Sequence, residues 1–137
     1  MLFDMNMSEN MPFGWWVKHL DRTLEDALDR AVAVEGISRR QWQMLNLAAD
    51  GGELSMMAPF FADLADADLP AAGLVERGWI RRSGQRLELT PDGALARDRL
   101  TTVVAGQRER IMNGIEPAEY AATIDVLRRM AANLAES

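Results

Sequence analysis

The feature that most limits how this chain can fold is a heptad-like seam near its N-terminus. Apolar residues Phe13, Val17, Leu20, Leu24, Ala27, Ala31 and Val34 recur at spacings that alternate between four and three, while Lys18, Asp21, Arg22, Glu25, Asp26 and Asp29 fall off the seam. That period is helical, and the stripe is narrow for so long a helix. Such a helix packs lengthwise on another one. The expected partner is a second copy of the chain, with packing inside one chain as the alternative. A matching stripe lies near the other end, where Glu116-Pro117 opens a last helix carrying Tyr120, Ile124, Leu127, Ala131 and Leu134.

Between the two seams the chain is finely punctuated. Ser38 followed by Gln41 is a capping box, and Ile37 and Trp42 occupy the positions of a hydrophobic staple. This helix passes through Trp42, Leu45 and Ala48-Ala49 and stops at Asp50-Gly51-Gly52. Leu54-Ser55 reads as a short extended segment, with Ser55 capping a helix from Met56 to about Asp63 that holds Pro59 in its first turn. A third short helix starts near Asp68 with Pro70 in its first turn, and Gly78 ends it. Trp79-Ile80-Arg81-Arg82 and Gln85 to Thr90, joined through Ser83-Gly84, read as a tight β-hairpin. Thr90-Pro91 then opens a long helix that runs to about Asn113-Gly114. The expected fold is mainly α with one small hairpin. Residues 37–90 make a winged helix-turn-helix lobe, and 13–36 with 91–136 make a dimerisation bundle, all in a single domain over 1–137.

Composition removes several classes of function. A chain of 137 residues is one domain's worth at roughly 100–200 residues each. With no cysteine there is no disulfide framework, Cys-based zinc site or thiol nucleophile, and His19 is the single histidine. No carboxylate pair, metal spacing, phosphate loop or nucleophile-base arrangement stands out, so the expectation is a protein without enzymatic activity, cofactor or metal. Residues 1–10 carry Asp4 and Glu9 without Lys or Arg, unlike a secretory signal. No apolar run approaches the ~18 residues of a membrane helix. A cytoplasmic protein with no membrane partner is expected. The net charge of −6 argues against nucleic acid, because phosphate binding needs Lys and Arg.

Four segments in order nevertheless resemble the MarR family of bacterial transcriptional regulators. They are Ile37-Ser38-Arg39-Arg40-Gln41-Trp42-Gln43-Met44-Leu45; Leu74-Val75-Glu76-Arg77-Gly78-Trp79-Ile80; Leu89-Thr90-Pro91-Asp92-Gly93, which matches the family's Leu-Thr-x-x-Gly entry to its long fifth helix; and Ile115 to Tyr120 with Leu127-Arg128-Arg129-Met130. The resemblance spans nearly the whole chain. It implies a homodimer on a pseudo-palindromic DNA site, often relieved by a small aromatic ligand. Family recognition helices usually offer Ser, Thr and Arg to the groove. This chain offers Ala65, Asp66, Ala67, Asp68, Leu69 and Pro70, and from Gly51 to Gly78 five acids face one arginine. The hairpin is shorter than family wings and lacks their Asp-x-Arg signature.

Asp66 and Asp68 read first as helix caps, and second as acceptors for cytosine N4. Arg81, Arg82 and Arg86, with Ser83 at the tip, suit phosphates as well as they suit a solvated edge. Arg39 and Arg40 sit at a helix N-terminus, where free amides favour anions but basic side chains oppose the dipole. With Arg77, these seven residues are the candidate DNA contacts. Trp15, Trp16, His19 and Trp42 are the candidate ligand site, with rings to stack and an imidazole to bond a carboxylate or phenol. The alternative for them is core anchoring. Two functions follow: a ligand-responsive DNA-binding regulator, or a MarR-like dimer that has lost DNA binding and holds a small molecule or protein.

Overall fold

The computed structural model describes residues 10–135. The N-terminal stretch read above for a secretory signal lies almost wholly outside them. No helix among the described residues is long and apolar enough to cross a membrane. Among the described residues, five α-helices and one antiparallel hairpin appear in the order α1 (Phe13–Val32), α2 (Arg39–Ala49), α3 (Asp68–Glu76), β1 (Ile80–Ser83), β2 (Arg86–Leu89), α4 (Pro91–Ile111) and α5 (Pro117–Ala135). The chain divides into two compact units, Met1–Ala105 and Gly106–Ser137, with the division inside α4.

In the first unit, α1 breaks sooner than its seam predicts. The chain tightens into a 3-10 turn over Ala33–Glu35 and reverses at Gly36, whose φ of 76° is left-handed. Val34 therefore leaves the stripe and stands exposed. The core-facing side of α1 is Leu28, Ala31 and Val32, whereas Phe13, Val17, Leu20 and Leu24 remain exposed. The capping box forms as expected. Ser38 Oγ accepts from Gln41 N, and Gln41 Oε1 accepts from Ser38 N. Gln41 also donates from Nε2 to the Pro70 carbonyl at 3.1 Å, so one side chain caps α2 and fixes the first turn of α3. Ile37 and Trp42, the two staple positions, are both buried in the core.

The segment after α2 differs from expectation. A 3-10 helix runs over Leu54–Phe60 from an extended Glu53, with no side-chain cap, and Ser55 does not start an α-helix. Proline explains this. With Ser55 as cap, Pro59 would be the first residue required to donate an α-helical hydrogen bond, and it has no N–H to donate. The extended piece lies just upstream of Leu54-Ser55. Glu53 bridges antiparallel to Arg86, Leu87 N donates to Gly52 O at 3.0 Å, and Leu54 N donates to Gln85 O at 2.6 Å. A third, single-residue strand thereby extends the hairpin.

The hairpin turn also moves by one residue. Ser83 pairs with Arg86, leaving Gly84-Gln85 as the two-residue turn with Gly84 at φ 61°. A tight hairpin turn needs positive φ at its first position, which Ser83 would adopt at a cost. Ile80 and Leu87 drop into the core with Trp42, Met44, Leu45, Leu54, Leu74, Trp79 and Leu100.

Thr90 performs two tasks at the entry to α4. Its hydroxyl donates to the Gly78 carbonyl and accepts from Gly93 N at 3.0 Å. Gly93 is required for a steric reason, since a Cβ there would lie 1.8 Å from the Trp79 carbonyl oxygen. In the second unit, Gly114 turns the chain at φ 78°, and Glu119 Oε1 accepts from Glu116 N to start α5. Gly93→Ala is expected to cost about 2 kcal/mol or more by overpacking. Gly106→Ala, within α4 and open to solvent, should gain up to about 1 kcal/mol. Thermal denaturation of both variants checks the contrast.

Candidate nucleic-acid interface and aromatic cluster

Helix α3 leads into the hairpin, and carboxylates cluster at its start. Asp63 Oδ1 accepts from Ala65 N at 3.0 Å and caps the short 3-10 turn Leu64–Ala67 that leads into α3. Asp66 and Asp68 do not cap, because Ala67 is the residue at the N-cap of α3. Asp68 instead pairs with Arg82 Nη1 at 2.9 Å, while Arg82 Nε donates to the Gly84 carbonyl at 2.8 Å. One guanidinium therefore joins the hairpin tip to the first residue of α3. Between them lies an open groove of about 650 Å³ lined by Ala72, Val75, Glu76, Arg82 and Gly84.

The other arginines divide into engaged and available. Arg77, just past α3, donates from Nη1 to Glu35 O and from Nη2 to Gly36 O, each at 2.9 Å, with its guanidinium 5.0 Å from the Trp79 ring centre. Arg39 turns toward α1, with Nη1 3.0 Å from Glu25 Oε2 and Nε 3.6 Å from Asp29 Oδ1, ion pairs not aligned as hydrogen bonds. Those two acids offset the unfavourable placement of Arg39 at the N-terminus of α2. Arg40 donates to Gln43 Oε1 and lies 5.1 Å over the Phe60 ring. On the hairpin, Arg86 sits 3.4 Å from Glu88 and is largely exposed. Arg81 is exposed and forms no ion pair or side-chain hydrogen bond among the described residues, and Ser83 closes the strand beside the turn.

Three of the four aromatic candidates come together. Trp15 and His19 stack with centroids 4.7 Å apart and planes 12° off parallel, and Trp16 meets Trp15 edge-on at 4.8 Å. Trp42 is not among them; it is 8% exposed and part of the core. Periodicity explains this, since Trp42 is the buried staple position of α2 whereas the other three stand on the first two turns of α1.

Sequence reasoning passed over Glu35 and Arg99. Arg99 Nη2 and Nε donate to the two carboxylate oxygens of Glu35 at 2.9 and 3.1 Å. The carbonyl of the same Glu35 accepts from Arg77, so the end of α1 binds both the end of α3 and the body of α4. The Arg99 hydrogen bonds hold the Glu35 carboxyl below its ordinary value of 4.5, and the Arg99 and Arg77 charges lower it further. A carboxylate just before a helix-ending glycine was the available signal, but it names no partner 64 residues away.

A helix-turn-helix followed by a hairpin and long helices defines a winged-helix protein with extra helical elements. No protein-family model and no curated protein sequence matches the chain. Solved structures do. A transcriptional regulator designated PA3341 is 25% identical with a TM-score of 0.75, covering 92% of this chain and all of that one. A MarR-family regulator from Rhodococcus sp. RHA1 is 21% identical with a TM-score of 0.74, covering 87% and 91%. CouR from Rhodococcus jostii RHA1, solved bound to p-coumaroyl-CoA, is 21% identical with a TM-score of 0.74, covering 88% and 91%. The fold is that of the MarR-family transcriptional regulators, as the sequence segments imply.

Glu35→Gln tests the α1 junction. A carboxyl whose folded pKa is depressed stabilises the fold above its unfolded pKa and loses that effect as pH falls through the folded value. The melting temperature of Glu35→Gln should lie below that of the parent chain at pH 7, and the gap should close as pH drops below 4.5. A gap that is constant with pH would contradict the link.

Proposed function

We propose that this protein is a DNA-binding transcriptional regulator of MarR type that acts in the cytoplasm as a ligand-responsive homodimer. The observation that carries the reading is the placement of α3 beside a hairpin whose Arg81 and Arg86 are exposed, in a fold that matches known regulators over nearly its whole length. Arg81, Arg86 and Arg40 would contact phosphates, with Arg82 and Ser83 beside them at the hairpin end. Arg39 and Arg77, held on α1 and on the Glu35-Gly36 carbonyls, would position α2 and α3. Dimerisation would use the apolar faces that α1 and α5 leave exposed, Phe13, Val17 and Leu20 on one and Tyr120, Ile124 and Leu127 on the other. The Trp15-Trp16-His19 cluster offers a planar aromatic ligand a stacking wall. The p-coumaroyl-CoA bound to CouR, a protein of the same fold, supports that reading. No enzymatic step is assigned.

A second reading keeps the dimer without DNA binding. It is favoured by the stretch from Gly51 to Gly78, where five acids face one arginine. Fluorescence anisotropy on duplex from upstream of the protein's own gene separates the two. Three phosphate contacts per protomer predict an affinity loss of about a thousandfold between 50 and 200 mM salt. Arg81→Glu with Arg86→Glu should abolish binding at the higher salt and cut the salt slope by more than half. Unchanged binding by that folded variant would refute the assignment, and no binding by the parent dimer at low salt would favour the second reading.

A further inference from the structure

The outward surface of α3 has a composition that restricts which base edges it can read. At about 100° per residue, Leu69, Ala72, Val75, Asp68 and Glu76 share one arc of the helix, and all five are exposed, Leu69 at 82%. Ala71 and Leu74 point the other way into the core, and Gly73 faces Gln41 of α2. No side chain on the exposed arc is a hydrogen-bond donor. The arc presents methyl and methylene groups flanked by carboxylates, and the Asp68 charge is countered by Arg82 at 2.9 Å.

Each base pair shows a different major-groove edge to such a surface. A G·C pair displays the guanine acceptors N7 and O6, which a carboxylate repels and an alkyl group leaves unsatisfied. Beside them is the cytosine N4 donor, which a carboxylate can accept from, and there is no methyl for an alkyl side chain to cover. An A·T pair displays the adenine N6 donor, which a carboxylate can accept from, and the thymine C5-methyl, which an alkyl side chain can cover. We propose that α3 reads its half-site through thymine methyl groups packed against Leu69, Ala72 and Val75, so that these residues determine specificity for A·T pairs in the major groove. The inference rests on the DNA-binding reading above. It assigns recognition to apolar contact, where family recognition helices usually offer Ser, Thr and Arg.

The test starts from a duplex selected by the protein out of a randomised pool, then remade with deoxyuridine for thymidine, which removes only the C5-methyl. Burying one methyl is worth about a fourfold change in affinity. Two or more such contacts per half-site therefore predict at least a tenfold weaker uracil duplex. In Leu69→Ala/Val75→Ala, which alters two exposed positions and leaves the core intact, the thymine-to-uracil ratio should fall toward one. Equal affinity of the parent protein for both duplexes would overturn the inference, as would a ratio unchanged in the double variant. A selected site defined by G·C pairs and indifferent to uracil would overturn it too. If the folded dimer enriches no duplex at all, the DNA-binding reading fails and this inference fails with it, an outcome distinct from the others.

Discussion

The structure hinges on the three-residue reversal at the end of α1, where Glu35 and Gly36 receive hydrogen bonds from two directions. The two backbone carbonyls accept from the two terminal nitrogens of the Arg77 guanidinium, and the Glu35 carboxylate accepts from Nε and Nη2 of Arg99. Gly36 makes the reversal possible through its left-handed backbone. A Cβ there would also lie 2.9 Å from Arg77 Nη2. These contacts join α1, the C-terminal end of α3 and α4 at one point. The end of α1 is thus tied directly to the end of α3 and to α4 by side-chain hydrogen bonds that do not involve the hairpin. Bidentate arginine contacts suit such a junction because they fix orientation as well as distance.

The net charge of −6 does not by itself exclude the proposed contact with nucleic acid, because the arginines differ in what holds them. Its arginines have separate tasks. Arg39 is matched by Glu25 and Asp29, Arg82 by Asp68, and Arg77 by backbone carbonyls. Each match orders one junction between elements, and the half-exposed ion pairs among them add little to stability individually. Within the hairpin, Arg81 and Arg86 project to solvent while Arg82 is held by Asp68. Net charge is a property of the whole surface, whereas phosphate contact depends on the few cations that reach the groove edge.

Much of the architecture was legible because local chemistry and global fold agree. The Ser38-Gln41 box and the Thr90-Pro91-Asp92-Gly93 helix entry form as read, and the short hairpin forms with its turn shifted by one residue to put Gly84 at positive φ. The Met56-to-Asp63 helix failed where two local signals competed: Ser55 invites a cap, but Pro59 lacks the donor that the cap requires. At the candidate site, residue types were visible and their commitments were not. Nothing local to Arg77 or Arg39 reveals that their guanidiniums are already engaged, because their partners lie 41 or 42 residues away in one case and on the preceding helix in the other. Trp42 is the opposite case, an aromatic side chain whose staple position already implied the burial that keeps it out of the aromatic cluster. The exposed apolar arc of α3 could have been found from Leu69, Ala72 and Val75 at spacings of three, once the start of the helix was fixed near Asp68.

In the proposed function, two copies of this winged lobe engage DNA together, with the hairpins on the backbone and α3 in the groove. Hydroxyl-radical footprinting on duplex from upstream of the protein's own gene addresses all three elements at once. The account predicts two patches of backbone protection related by twofold symmetry, with centres one helical turn, about 10 base pairs, or a multiple of it apart. Uniform cleavage along the whole fragment, with a protein shown to be folded and dimeric under the same conditions, would contradict it.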